Sequence, residues 1–258
     1  MSAIVAVAGV GMHAPGYPNM AGLLSGKRQE TPDDPSGELL DKRSRRRASV
    51  QTKAIADAYG EALAQSGLDA RTVASVFGSA LGEAATMIGL LDQMWREGGM
   101  LSPMRFATSV HNAAAGVVSI ATGNRGFSTS LGADHDTPAM SLIEGMAIAL
   151  AHDTPVIVAC GDEQTPNGLV PEGEGWQSLT VALALVPLGQ AQPHMMRISM
   201  PELGSADLVP DDLDRLLSRN PSVGLLDLAN CVSRKREGVL RLDRGLGRGY
   251  CVALSCGA

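Results

Sequence analysis

The segment from Arg125 to Glu144 constrains the fold more than any other part of the sequence. It begins with a β-type run, Phe127 to Leu131, which predicts a strand, and Gly132 to Thr137 predict a tight turn. A helix is predicted to leave the turn through Pro138. In α/β enzymes, a strand, a turn and a helix in this order often present a catalytic nucleophile at the turn. Here the tip reads Asp134-His135-Asp136, without serine or cysteine, so the sequence alone leaves its role open.

Further strand and helix patterns alternate along the chain. Strands are predicted over Ala3–Ala8, Thr72–Phe77, Pro155–Ala159 and Ser178–Val186, and shorter ones over His194–Met200, Val239–Leu242 and Tyr250–Leu254. Helices are predicted over Lys42–Gly67, Glu83–Arg96 and Asn112–Thr122, with a short one over Pro210–Leu217. Strands and helices that alternate in this number predict an α/β fold, in which a sheet is covered by helices on both faces.

The charge and apolar content of the 258 residues argue against several classes of protein. A net charge of −6 disfavours nucleic acid as the main partner, because binding to phosphates needs a basic face. The basic cluster Lys42 to Arg47 is typical of a solvated helix start, and docking of an acidic carrier protein is the less favoured interpretation. No apolar run approaches the roughly 20 residues that span a bilayer, and the N-terminus does not resemble a signal peptide. We therefore predict a cytoplasmic protein without a membrane span.

Four features have both a structural and a functional interpretation. Gly9 and Gly11 could begin a phosphate-binding turn, but the third glycine of that motif is missing, so a structural role is favoured. His135 between two aspartates could be a general base, although a buried histidine more often only finds a hydrogen-bond partner. The four cysteines, like the histidines, lack metal-ligand spacing, which predicts free thiols and no metal or cofactor. The apolar stripe on the helix from Glu83 is by itself more typical of a core.

Four short motifs follow each other in a recognisable order, namely Asn112–Gly116, Gly123–Gly126, Glu144 and Gly161–Glu163. This order resembles the first half of the β-ketoacyl synthases, which have the thiolase fold. The resemblance covers roughly residues 1–190. It implies that residues 1–190 form a ketosynthase-like N-terminal half, and that residues 191–258 form a short α/β segment that completes the same domain.

The resemblance also implies that the chain has no catalytic residue of its own. Counting from Gly126, the position of the family's nucleophilic cysteine is occupied by His135, and an imidazole cannot form the acyl thioester through which condensation runs. The second half of the family fold, which supplies two histidines, is mostly missing. In both departures the chain resembles a chain length factor, which is the inactive partner of an active ketosynthase. It is similar in particular to the short partners found in aryl polyene biosynthesis.

Partners and contact residues are implied by the same resemblance. A chain length factor pairs with its ketosynthase as a heterodimer, and acyl carrier protein reaches it through that complex. The implied interface residues are Asn112, Phe127, Ser128, Thr129, Ser130 and Leu131. The helix from Glu83 to Arg96 would close the partner's acyl tunnel with Thr86, Met87, Gly89, Leu90 and Met94. The alternative hypothesis is a stand-alone acyl transferase or hydrolase that uses His135 with Asp134 or Asp136.

Overall fold

One mixed β-sheet forms the frame of the protein in the computed structural model, which describes residues 3–30, 34–96 and 99–257. Its strands are β1 (Ile4–His13), β2 (Ala74–Gly78), β3 (Ser128–Leu131), β4 (Val156–Asp162), β5 (Leu179–Pro187), β6 (Met196–Ser199), β7 (Glu202–Leu203), β8 (Gly238–Arg241) and β9 (Tyr250–Ser255). The order across the sheet is β3-β2-β4-β5-β1-β6-β9-β7, and β8 pairs with β9. Strand β2 is parallel to β3 and to β4, whereas the other pairs are antiparallel.

Helices cover both faces of this sheet, as the alternating pattern predicts. The helices are α1 (Met20–Leu24), α2 (Lys42–Arg47), α3 (Val50–Ser66), α4 (Ala84–Arg96), α5 (Pro103–Ala107), α6 (Ala113–Thr122), α7 (Thr137–His152), α8 (Arg215–Ser218) and α9 (Val223–Ser233). Helices α3 and α6 pack on one face with Phe77 and Ile157. Helices α7 and α9 pack on the other face with Val76 and Val158. Consecutive residues of a strand therefore pack into the cores on opposite faces of the sheet, because side chains alternate along a strand.

The glycines of the first strand bring helix α3 close to the sheet. Strand β1 continues through Gly9 and Gly11 to His13, so the expected end of the strand at Ala8 is wrong. A Cβ atom on Gly9 would collide with the carbonyl oxygen of Ala62, and one on Gly11 with that of Ala58. The two glycines therefore allow α3 to pack closely on β1. This packing explains their spacing, and no phosphate-binding role is needed to account for it.

Several element boundaries differ from the sequence prediction for local physical reasons. The helix predicted over Lys42–Gly67 is two helices, because the Ser49 side chain accepts a hydrogen bond from the Thr52 N–H and begins α3 anew. The predicted stop at Gly67 is confirmed by its left-handed backbone, with φ of 65°. Residues 101–108 were expected to be irregular but contain α5, which Ser102 caps. The predicted stop of α4 at Gly98 lies outside the described residues.

The C-terminal part differs most from the prediction. The helix expected over Pro210–Leu217 is confined to Arg215–Ser218, and α9 was not predicted. Every residue of α9 from Val223 to Val232 is buried, so it lacks the polar face by which a surface helix is recognised. Strand β6 pairs with β1 at the start of the chain, so residues beyond 190 extend the same sheet. No helix of the described residues is long and apolar enough to cross a membrane.

Candidate functional site

The turn between β3 and α7 has the geometry of a catalytic elbow. Residues Asp134–Asp136 form a single 3-10 turn, and Asp134 has a positive φ of 50°, which is uncommon for a residue other than glycine. The Thr137 hydroxyl donates to the carbonyl oxygen of Asp134 at 2.7 Å and accepts from the Ala133 N–H at 3.0 Å. One buried side chain thus fixes both ends of the turn.

His135 lies at the tip of this turn and is half-buried. Its ring packs edge-on against Trp176, with 6.3 Å between ring centroids and an angle of 73°. Its Nδ1 atom is buried and has no hydrogen-bond partner within the described ranges. In particular, neither Asp134 nor Asp136 accepts a hydrogen bond from this atom, so no carboxylate orients the imidazole through Nδ1 as a general base requires.

Asp136 instead binds a glycine-rich loop near the C-terminus. Its Oδ1 atom accepts from the Arg248 N–H at 2.9 Å, and its Oδ2 atom lies 3.7 Å from the Arg248 Nε atom. A Cβ atom on Gly247 would collide with Asp136 Oδ1, so only glycine allows this approach. Asp243 holds the loop from inside by accepting from the Gly249 N–H at 2.6 Å. The sequence predicted this loop only as a turn between two strands and did not reveal its contact with the elbow.

Among the described residues, no reactive cysteine lies near the turn. Cys160 lies in β4, below the start of α7, and is fully buried. Burial raises the pKa of its thiol to about 12, so the reactive thiolate is not formed at neutral pH. Cys160 and Cys251 are buried free thiols, as the sequence predicts. Within the described residues, no three His, Cys, Asp or Glu side chains come together to hold a metal ion.

Three carboxylates converge on the turn that leads into α4. Asp162 is fully buried and accepts from the Ala80 N–H at 3.1 Å and the Leu81 N–H at 2.9 Å. Glu163 accepts from the Ala85 N–H at 2.7 Å, and Glu83 accepts from the Thr52 hydroxyl at 2.6 Å. Burial raises the pKa of all three carboxyls. From its place after a strand, Glu163 would be expected to cap the segment that follows it, but it caps a helix in which Ala85 precedes it by 78 residues.

The strand before the elbow lies at the edge of the sheet. Strand β3 pairs with β2 alone among the described strands, so its second edge is unpaired. The Ser75 N–H donates to the Phe127 carbonyl, and the Ser79 N–H donates to the Leu131 carbonyl. Because backbone groups alternate in direction along a strand, the N–H and C=O groups of Ser128 and Ser130 face the free edge. A free edge of this kind can pair with a strand of another chain.

A cavity lies on each face of this edge strand. On the side of α6, a cavity of about 580 Å³ is lined by His111, Asn112, Ala115, Gly116, Ser119 and Ser128–Ser130. On the side of α7, one of about 560 Å³ is lined by Phe127, Ala147, Ile148 and their neighbours. The fold therefore brings all six predicted interface residues together around one edge. His111 was not singled out by sequence reasoning, and it bonds the Ser79 carbonyl at 2.8 Å.

Many large apolar side chains between residues 87 and 127 are exposed. We call them the apolar face, which consists of Met87, Leu91, Met94, Trp95, Met100, Met104, Phe106, Val110, Ile120 and Phe127. They lie on α4, α5 and α6, in the connecting segments, and just before β3. Trp95 is 85% exposed and Met100 is 93% exposed. So many exposed apolar side chains in one region of a chain are typical of a surface that binds another protein.

The predicted tunnel residues lie on α4 in different environments. Leu90 is buried, Met87 and Met94 are exposed, and Thr86 and Gly89 are half-buried. A Cβ atom on Gly89 would meet only the Nη2 atom of Arg105, at 2.9 Å. The assignment of these five residues to a tunnel stays a prediction, since a tunnel of this kind needs the partner chain.

The described fold and the elbow agree with one protein family. The family described as the β-ketoacyl synthase N-terminal domain matches residues 25–242. The chain belongs to this family. The match begins later than the resemblance inferred from the sequence and extends further, across α9 and β8. No curated protein matches the chain.

Solved structures with this ketosynthase fold cover nearly the whole chain. The structure of the ketosynthase ApeO in complex with its chain length factor ApeC, from Xenorhabdus doucetiae, is 18% identical with a TM-score of 0.69. It covers 98% of this chain and 99% of that chain. The ishigamide ketosynthase/chain length factor is 14% identical with a TM-score of 0.61, covering 87% and 73%. A complex of a type II polyketide synthase acyl carrier protein with its ketosynthase is 13% identical with a TM-score of 0.66, covering 100% of both chains. The predicted thiolase-like fold class is confirmed.

Proposed function

We propose that this member of the β-ketoacyl synthase family is a non-catalytic chain length factor in the cytoplasm. It would pair with an active ketosynthase and shape its acyl tunnel while chains are elongated on acyl carrier protein. One observation carries the proposal: an unpaired edge strand, next to the exposed apolar face, leads into an elbow that holds His135 in place of a cysteine.

The elbow supports a role without catalysis. An imidazole does not form the acyl thioester intermediate, and His135 Nδ1 is bound to neither neighbouring aspartate. The Asp136 Oδ1 atom already accepts a hydrogen bond from the Arg248 N–H. The alternative hypothesis of a stand-alone acyl transferase or hydrolase needs His135 as a base together with one of these carboxylates. No observation on the described residues favours it.

The edge strand supports pairing with a ketosynthase. Ser128 and Ser130 direct two N–H and two C=O groups outward, which is sufficient for a short intermolecular ladder. The apolar face would be buried beside that ladder, and burial of apolar surface stabilises association by about 25 cal/mol per Å² before the costs of binding. Solved structures of similar fold contain a ketosynthase in complex with its chain length factor, which agrees with this pairing.

Helix α2 supports a contact with the carrier protein. Asp41 begins this helix by accepting from the Arg43 N–H at 2.8 Å. Lys42, Arg43, Arg46 and Arg47 are exposed, and none of them forms an ion pair with another described residue. A compact basic helix on a chain of net charge −6 suits a short acidic surface better than an extended polyanion. We therefore place the carrier protein, rather than nucleic acid, at α2.

Co-expression with a full-length ketosynthase tests the proposed function. We expect the chain to aggregate when it is expressed alone and to form a stable one-to-one complex with the ketosynthase. The reason is that the apolar face is exposed to water in the free chain and would be buried in the complex. The complex containing the His135→Ala variant should form product at a rate within about twofold of the unchanged complex. Loss of a general base would lower the rate by about 100-fold or more. A soluble monomer that turns over acyl thioesters, and loses this activity with His135→Ala, would refute the proposal.

Enlarging Gly89 tests the position of α4 at the tunnel. Among the described residues, a Cβ atom at this position meets only the flexible end of Arg105, so we expect Gly89→Phe to fold and to extend into the space beside the helix. We expect the complex to release shorter products, measured by mass spectrometry of the carrier-bound chains. Leu91→Phe is the control for side-chain size, because residue 91 lies about 200° further around the helix and phenylalanine keeps the apolar face apolar. An assembled complex with this variant should release products of the original length. Unchanged product length with Gly89→Phe would show that α4 does not line the tunnel.

A further inference from the structure

Among the described residues, the shortest hydrogen bond from another segment to helix α4 lies at its first turn, whereas Gln93 in its second half makes longer ones, of 3.4 Å, to Arg105 and Met100. Only Ala84 and Leu90 are buried among its thirteen residues, and its second half exposes Leu91, Met94 and Trp95. Core packing therefore contributes little to the direction of the helix axis. The first turn, in contrast, is bound by a set of polar side chains from distant parts of the chain.

Asp162, the last residue of β4, holds the turn before α4. Its Oδ1 atom accepts from the Ser79 hydroxyl at 2.8 Å and the Leu81 N–H at 2.9 Å. Its Oδ2 atom accepts from the Ala80 N–H at 3.1 Å and the Ser222 hydroxyl at 3.3 Å. One buried carboxylate thereby joins the end of a central strand, the turn that starts α4, and the start of α9.

Glu163 continues this connection into the helix itself. Its Oε1 atom accepts from the Ala85 N–H at 2.7 Å, so it satisfies one of the free N–H groups of the first turn. Its own backbone carbonyl accepts from the Trp176 Nε1 atom at 3.0 Å, and the Trp176 ring also contacts His135. The helix is thus bound to the segment that packs on the elbow.

We propose that Asp162 and Glu163 are positioning residues that fix the direction of α4 and so set the length of the acyl chain that the complex accepts. This inference rests on the proposed function. Met94 lies ten residues beyond Ala84, which is about 15 Å along the helix axis. A tilt of about 10° at the first turn would therefore move Met94 by about 3 Å, a distance comparable to two carbon–carbon bonds.

Glu163→Ala and Glu163→Gln, each in the complex with the ketosynthase, form the test. Alanine removes the acceptor for the Ala85 N–H, whereas the glutamine amide oxygen can accept the same hydrogen bond. We expect Glu163→Ala to change the ratio of neighbouring product lengths at least about twofold, because the first turn of α4 loses the hydrogen bond that holds its direction. Glu163→Gln should restore the original distribution. Amide exchange at the start of α4 should become faster in Glu163→Ala only.

Each outcome decides the proposal. An unchanged product distribution in an assembled Glu163→Ala complex would overturn it, and so would Glu163→Gln behaving like Glu163→Ala. If Glu163→Ala does not assemble, Ser79→Ala answers the same question, because it removes a donor to Asp162 and an acceptor for the Gly82 N–H. Gly89→Phe separates the two hypotheses. If Gly89→Phe shortens products and Glu163→Ala has no effect, only the positioning role fails, whereas no effect of Gly89→Phe contradicts the tunnel itself.

Discussion

The Ser128→Pro variant is expected to lose its ketosynthase partner while keeping its own fold. Ser128 is the first residue of β3, is exposed, and directs its N–H to the free edge, where proline is tolerated by the sheet. The ring removes one intermolecular hydrogen bond and places carbon atoms where the partner strand would approach. We expect association to weaken by about 10-fold or more, since each 1.4 kcal/mol corresponds to a factor of ten. Quantitative co-purification and analytical ultracentrifugation measure this change.

Ser128→Ala is the matched control for this experiment. It removes the hydroxyl but keeps the backbone N–H, so its complex should match the unchanged complex. A wild-type level of complex with Ser128→Pro would mean that β3 is not the pairing strand. Loss of the complex with both variants would point to the side chain rather than to the backbone edge.

The Gly11→Ala variant is expected to destabilise the fold itself. Its Cβ atom would collide with the Ala58 carbonyl and lie 2.9 Å from the Ala62 nitrogen, and both atoms belong to the backbone of α3. The helix must move away from the sheet, which we expect to cost about 3 kcal/mol, at the upper end for an overpacked core. For a chain of this size, that loss lowers the melting temperature by about 10 °C.

Gly60→Ala in the same helix provides the comparison. Its nearest atom would be the Leu39 Cβ at 3.7 Å, an ordinary contact, so alanine should stabilise α3 by about 0.5–1 kcal/mol. The three proteins are compared by thermal unfolding after identical preparation in complex with the ketosynthase. Equal melting temperatures for Gly11→Ala and the unchanged protein would show that α3 does not depend on these glycines.

Much of the fold could be predicted because its signals are local. The β-type run before the elbow, the left-handed stop at Gly67 and the helix from Thr137 follow from residue types and their spacing. The buried helix α9 was missed because its residues from Val223 to Val232 are all buried, so its polar residues Asp227 and Asn230 do not mark a solvent-exposed face. The break at Ser49 was missed because a capping serine inside a helical pattern changes only one backbone conformation.

The candidate site was predicted in part. The sequence placed His135 at the nucleophile position and grouped the interface residues through a family resemblance. It could not show that Asp136 binds the loop at Arg248, 112 residues away, or that Glu163 caps α4. These contacts join residues that are far apart in the chain, and no periodic pattern in the sequence indicates them.

The sequence by itself determined that the tip of the elbow carries His135, without serine or cysteine, and that a strand precedes it and a helix follows it. These properties depend on residue identity and on neighbours within a few positions. Only the tertiary structure decided that β3 is an edge strand, since this requires β2 to pair with β4 on its other side. It also decided that the first turn of α4 is held by Glu163, and that the second half of the helix exposes Leu91, Met94 and Trp95. Both depend on long-range hydrogen bonds and burial, which form only when distant segments of the chain meet.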